Sequence, residues 1–472
     1  MKITSFIAMC VVLFSLSEAM AKPNIVMVFI DDMGWGDFSC FGNKEVETAN
    51  VDRLAKEGIR FSQFYVNSPI CSPSRCALVT GQYPQRWKIT SFLNNRADNE
   101  RRGVANWLDP NAQTLSRILQ KNGYATGHFG KWHLGGQRDV DNAPPISDYG
   151  FDESLTNFEG MGKKLLPLTM KPGENTPGRI WADAERLGKP VYWMQRSEIT
   201  SGFVSAALPF INQAVKDKKP FYINLWPDDV HSPFWPPVDK WANGKRGMYL
   251  SVLKEMDRQL GRLFDHIRNT PEISHNTMIL VCSDNGPEPG AGSAGPFRGT
   301  KGTLYEGGIR SPLVVWAPRL MEKEKIGMHD ETSVFAAFDL VPSLINLARI
   351  SVPASIKFDG ENLAPVLLGK SAGPRRNPIM WRRPPDRKTM PPSPERLPDL
   401  AIREGNWKLL CEYDGSKPQL YDLAIDRAET LNLATKHPEK VMKLSMELLD
   451  WNKSLPADNG PALGKPQIKQ GK

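Results

Sequence analysis

The sequence predicts an α/β protein: a large, mostly parallel sheet flanked by helices, followed by a smaller C-terminal α+β subdomain. Three continuous apolar runs, Asn24 to Ile30, Phe221 to Trp226 and Met278 to Cys282, read as strands buried on both faces, the habit of parallel sheets. Helical patterns separate them, at Val51 to Glu57, Thr114 to Asn122, Ile199 to Lys216 and Leu250 to Ile267. Strands alternating with helices build a layered α/β domain. At 472 residues, 40% hydrophobic and 24% charged, the chain has room for one large domain and a small one.

In chain order, residues 1–21 read as a signal peptide: Lys2, an apolar run from Phe6 to Leu16, then Ala19-Met20-Ala21 as a cleavage site. That run falls short of the ~20 apolar residues a membrane span needs, and no later segment approaches that length. An exported protein without a membrane span, periplasmic or extracellular, is expected. The main domain should occupy 22–372. A Pro/Arg-rich stretch, 373–398, contains Arg375, Arg376, Arg382, Arg383, Arg387 and Lys388 and reads as a connector rather than an element. In the C-terminal subdomain, 399–472, Leu400 to Leu410 and Gln419 to Leu423 read as short strands and His437 to Trp451 as an amphipathic helix.

Cleavage after residue 21 would remove one lysine and one glutamate, so the mature chain keeps the formal charge of +8. In an exported protein that excess suits a polyanionic substrate such as a sulfated glycan, and equally suits solubility; no nucleic-acid partner is expected. Six cysteines show no C-x-x-C spacing, so neither a zinc site nor a redox pair is indicated. The pairing of Cys40, Cys76, Cys282 and Cys411 is left open.

Asp31-Asp32 directly follows the first apolar run and Asp284-Asn285 the third. Ligands of open α/β sheets bind beyond the carboxyl ends of the strands, so these two pairs can converge. Four hard oxygen donors suit calcium, which takes about six to eight oxygens, and magnesium fits the same donor type. Each pair alone reads equally well as a solvated strand end; their placement together favours a metal. Three carboxylates around one divalent cation leave about one negative charge, which Arg75, Lys131 and Lys301 can offset. Lys131 and His133 are an i, i+2 pair, which in extended chain shares a face, and histidine moves protons near neutral pH.

Cys71-Ser72-Pro73-Ser74-Arg75 resembles the Cys-x-Pro-Ser-Arg signature of the type I sulfatases, a family of the alkaline-phosphatase-like superfamily. Gly130-Lys131-Trp132-His133-Leu134-Gly135 is similar to another element of that family. Arg298 to Arg310 resembles its second signature, with Ser311 where valine is common. Trp226 to Pro233 resembles its Pro-His-x-Pro segment, although Val230 replaces the usual proline. Trp407-Lys408-Leu409 and Leu420 to Leu423 resemble parts of its C-terminal subdomain.

The resemblance implies that Cys71 is oxidised to formylglycine by a formylglycine-generating or anaerobic maturation enzyme. It implies one Ca2+, or Mg2+, on Asp31, Asp32, the modified Cys71, Asp284 and Asn285. Cys71, Arg75, Lys131, His133, His231 and Lys301 are then the catalytic residues. They would hydrolyse a sulfate monoester, as arylsulfatases and carbohydrate sulfatases do, through a formylglycine hydrate and a covalent sulfo-enzyme, releasing inorganic sulfate. A phosphate or phosphonate ester hydrolase of the same superfamily and a non-catalytic sulfated-glycan binder are the alternatives. For the sugar, Glu159 to Ser197 offers Lys163, Lys164, Arg179, Trp181, Arg186, Tyr192, Trp193 and Arg196, a mixture suited to stacking and anion contact.

Overall fold

The computed structural model describes residues 22–136, 140–370, 375–387 and 396–458. The expected signal peptide lies outside the described residues, as do Lys388 of the expected connector and the tail from residue 459. Eleven strands form the main sheet: β1 Asn24–Ile30, β2 Ile59–Tyr65, β3 Ala125–Gly130, β4 Glu153–Thr156, β5 Lys164–Thr169, β6 Gly178–Arg179, β7 Val191–Gln195, β8 Phe221–Trp226, β9 Thr277–Ser283, β10 Arg310–Trp316 and β11 His329–Ala336. Their order is β11-β2-β10-β9-β1-β8-β3-β4-β5-β6, with β7 also on β5. Pairings are parallel except at β10–β2, β10–β9 and β5–β6, so the sheet is mostly parallel.

The three apolar runs become the central strands β9, β1 and β8, each buried along its whole length. Strand side chains alternate between faces, and β1 feeds two cores. Ile25, Met27 and Phe29 pack on one side of the sheet, while Val26, Val28 and Ile30 meet helices Ala49–Glu57, Ile199–Lys216 and Gly244–Asn269 on the other. The last of these helices starts six residues before the expected Leu250, through Gly244-Lys245-Arg246-Gly247, whose two glycines and two charges carry no helical pattern, and Met248 and Tyr249. The helix expected from Thr114 begins at Leu115, with Thr114 as its cap: its hydroxyl accepts the Arg117 N–H.

A second, antiparallel sheet, β12 Ile379–Arg382, β13 Leu400–Glu404, β14 Trp407–Cys411 and β15 Gln419–Asp422, carries helix Pro438–Lys453. Two expectations are corrected here. The stretch read as a connector without elements contains β12, which pairs with β13. Leu400 to Leu410 is two strands rather than one run, because Gly405, at φ 56°, turns the chain between them. Ile402, Leu409 and Leu420 of this sheet join the same apolar cluster as Phe61 and Phe64 of the main one. All five cysteines among the described residues are free thiols.

Candidate active site

Strand register assembles the acidic centre. β1 and β9 run parallel with Ile30 beside Ser283, so Asp31 and Asp284, the next residues, emerge side by side at the carboxyl edge. The Asp284 N–H bonds the Ile30 carbonyl at 3.0 Å. Asp32 follows with φ 59°, a left-handed conformation of the kind that collects at functional sites. Carboxylate oxygens of Asp31, Asp32 and Asp284 lie within 4.8 Å of one another, all fully buried. Asn285 Nδ2 donates to Asp32 Oδ1 at 2.8 Å and to the Gly286 carbonyl at 2.9 Å, leaving its Oδ1 buried with no donor. An all-oxygen donor set with an orphaned amide oxygen fits a hard divalent cation.

Cations surround this centre. Arg75 Nη2 donates to Asp284 Oδ2 at 2.7 Å and lies 3.3 Å from Asp31 Oδ1, while its Nη1 donates to the Lys131 carbonyl at 3.1 Å. The guanidinium is fully buried and stands 5.1 Å over the Trp226 ring. Lys131 Nζ pairs with Asp31 Oδ2 at 2.7 Å, and Lys301 Nζ with Asp32 Oδ2 at 2.5 Å. Burial opposes charging these groups, and their partners offset it: Asp31, with Lys131, His231 and Arg75 beside it, is held well below the usual carboxylate range. Asp284 goes the other way, pushed up by burial and then by the Asp31 charge. Gly130 places Lys131: at φ 125° a Cβ there would stand 2.1 Å from the Trp226 carbonyl oxygen, so only glycine lets the strand end so close to β8.

Cys71 opens helix Cys71–Thr80, all ten residues of which are buried. The helix N-terminus favours negative charge at this position. Burial nevertheless pushes the Cys71 thiol up, Lys131 and Lys301 opposing.

His133, at φ 55°, holds the Leu93 carbonyl with Nε2 at 3.0 Å, and its Nδ1 stands 3.3 Å from Glu159 Oε2. That same oxygen is 3.1 Å from Lys131 Nζ. Burial pushes His133 down to about 4, so its ring is neutral at neutral pH. His231, partly exposed, turns Nε2 toward Asp32 Oδ2 at 3.5 Å and sets Nδ1 on the Ser232 carbonyl at 2.8 Å.

The structure thus brings together Asp31, Asp32, Cys71, Arg75, Lys131, His133, His231, Asp284, Asn285 and Lys301. Glu159, which joins Lys131 to His133, escaped the sequence reading because it sits in no motif. A cleft lined by Lys131, Glu159 and His231 together with Phe158, Trp181, Arg196 and Trp235 opens beside them. Part of the expected sugar-contact set has other work. Lys164 is fully buried on the Asn157 and Gly160 carbonyls, pushed down to about 7 by burial, and cannot reach a sugar sulfate. Arg196 is tied to Asp228 at 2.6 Å, and Arg179 stacks 4.6 Å over Trp193. Trp181 stacks on Phe158 at 4.4 Å in the cleft wall.

The chain is similar to human N-acetylgalactosamine-6-sulfatase, 32% identical over 75% of this chain and 67% of that protein. It is also similar to the N-acetylgalactosamine-6-O-sulfatase of Bacteroides thetaiotaomicron, 29% identical over 91% of this chain and 93% of that one. Among solved structures, Ps i-CgsB superposes with a TM-score of 0.75 at 26% identity, covering 92% of this chain and 94% of the other. Its complex with k-i-k-neocarrahexaose gives 0.74 with the same identity and coverage. The sulfatase family model matches residues 23–350, and with those strand-end acids, their cations and Cys71 inside the matched span, the chain belongs to the sulfatase family.

Proposed function

We propose that this sulfatase removes sulfate from a sulfated carbohydrate, with residue 71 as the nucleophilic position. The observation that carries the reading is the packing of Cys71, Arg75, Lys131 and Lys301 around three buried carboxylates beside an aromatic cleft. Relatives named for N-acetylgalactosamine sulfates and a similar structure in complex with k-i-k-neocarrahexaose support a sugar substrate. The amino-terminal sequence supports export, and no helix of the described residues is long and apolar enough to cross a membrane. We read residues 22–372 as the catalytic domain and 399–472 as its subdomain.

Asp31, Asp32, Asp284 and Asn285 would hold Ca2+ or Mg2+, with residue 71 completing the set. Converted to formylglycine and hydrated, residue 71 would supply a hydroxyl nucleophile, and the cation would supply a fixed positive charge. Lys131 and Lys301 present ammonium groups to the sulfuryl oxygens, charge stabilisation that needs no reorganisation during the reaction. His231, at the cleft, gives a proton to the departing alkoxide. His133 takes one at Nδ1: donation from Nε2 to Leu93 leaves Nδ1 as the basic atom, and Glu159 stabilises the imidazolium that forms.

The deciding experiment is sulfate release from a panel of sulfated sugars, an aryl sulfate and a phosphate ester, using protein whose residue 71 conversion is verified by peptide mass. Release from a sugar sulfate supports the reading. Turnover of the phosphate ester alone, or glycan binding without release, rejects it.

Glu159→Gln should lower kcat by about 10- to 100-fold, less than the roughly 100- to 10,000-fold that a positioned acid or base itself contributes, because it only supports His133. The sign of the pH effect follows from burial. His133 is depressed from 6.5 to about 4, so its acid limb should lie near pH 4 in the native protein. Glu159 raises that value, so the glutamine variant should move the limb lower still. A pH–rate profile of both proteins checks this, and an unmoved limb removes His133 as the base.

A further inference from the structure

We propose that Lys408 and Glu429 of the C-terminal region are positioning residues for Lys301, clamping the loop Arg298–Glu306 from outside the catalytic domain. This rests on the reading of Lys301 as a group that holds a sulfuryl oxygen.

The clamp is an ion cluster with no access to water. Lys408 Nζ, on β14, lies 2.9 Å from Glu306 Oε1 and 2.8 Å from Glu429 Oε1, and all three residues are 0% exposed. Glu429 Oε2 accepts the Glu306 N–H at 2.7 Å, and Glu306 Oε2 accepts from Tyr65 Oη at 2.6 Å and Arg310 Nη1 at 3.0 Å. The loop is held at both ends by the C-terminal region. Arg298 Nη1 donates to the Glu429 carbonyl at 3.3 Å, and Tyr305 Oη to Gln419 Oε1 at 3.0 Å.

The opposite side of the loop meets the site. The Gly302 N–H bonds the Pro69 carbonyl at 2.8 Å, two residues before Cys71, and Lys301 reaches Asp32. Little slack lies between, since a Cβ on Gly308 would stand 2.1 Å from the Thr303 carbonyl oxygen. A displacement at Glu306 is therefore passed to Lys301. Buried ion pairs add little net stability compared with apolar packing of the same volume, but removing one partner leaves a charge uncompensated. What this cluster imposes is a single geometry: both carboxylate oxygens of Glu306 and Oε2 of Glu429 accept hydrogen bonds, and Glu429 Oε1 faces Lys408 Nζ as an ion pair.

A double-mutant cycle tests it. Glu429→Gln is isosteric but offers one acceptor oxygen where Glu429 uses two, for Lys408 and for the Glu306 N–H. It should lower kcat about 10-fold with KM nearly unchanged, while Lys301→Ala alone costs about 100- to 1,000-fold, the scale of losing one preorganised charge donor. Residues that act through one group are not additive, so the double variant should match Lys301→Ala within about threefold. Multiplied losses overturn the proposal, because a general structural defect would slow the Lys301→Ala protein as well. Full activity in Glu429→Gln also overturns it. Full activity in Lys301→Ala removes the role given to Lys301, and the clamp with it. Should Glu429→Gln melt early, the same cycle with Lys408→Met decides between these outcomes.

Discussion

Cys71→Ala should abolish sulfate release, by about 10,000-fold or more, since losing a nucleophile costs hydrolases up to about a millionfold. Cys71 is 3% exposed, and deleting one small buried group typically costs on the order of 1 kcal/mol, so the variant should stay folded and the loss should be chemical. The unconverted wild-type protein should be equally inert. Burial pushes the Cys71 thiol up, and a buried neutral thiol is a poor nucleophile. Activity in preparations of differing maturation should therefore rise in proportion to the fraction of residue 71 converted, read by peptide mass against initial rate. Cys71→Ser probes the same point, because it keeps a hydroxyl of similar size and still should not turn over. Unconverted protein as fast as converted protein would sink the assignment of residue 71.

The acidic centre was legible because apolar runs mark central strands and the residues after them mark the carboxyl edge. Asp31 and Asp284 needed only the parallel register of β1 and β9 to meet. Helix Cys71–Thr80 was not legible as a helix, since burial on every side leaves no apolar stripe to read. Strand β10 opens with Arg310-Ser311-Pro312, which carries no strand signal, and it is buried by β9 and β2 at its edges and by the apolar clusters on both faces of the sheet. Lys164 reads as a sugar contact, yet it is fully buried on carbonyl oxygens. Nothing local marks Lys408 as buried between two glutamates that are distant in the chain. Glu159 was missed for a related reason: its role depends on meeting Lys131 and His133 in space, and no local pattern records that.

Removing divalent cations by chelation should lower turnover by about 1,000-fold or more, with recovery on adding Ca2+ or Mg2+, since fixed charge aimed at the reacting group is usually the largest catalytic contribution. The fold should survive. Lys131, Lys301 and Arg75 each hold one of the clustered carboxylates, so their repulsion is already balanced. An ion that binds only the folded state should raise the melting temperature, by the equivalent of about 4 kcal/mol at a thousand times its Kd. Asn285→Ala separates the site from nonspecific binding. It deletes the orphaned amide oxygen while leaving Asp31, Asp32 and Asp284 in place, so calorimetry should show weaker cation affinity and kcat should recover only at higher cation concentration. Full turnover by protein shown to be metal-free by elemental analysis would reject the cation and leave Arg75, Lys131 and Lys301 as the source of positive charge.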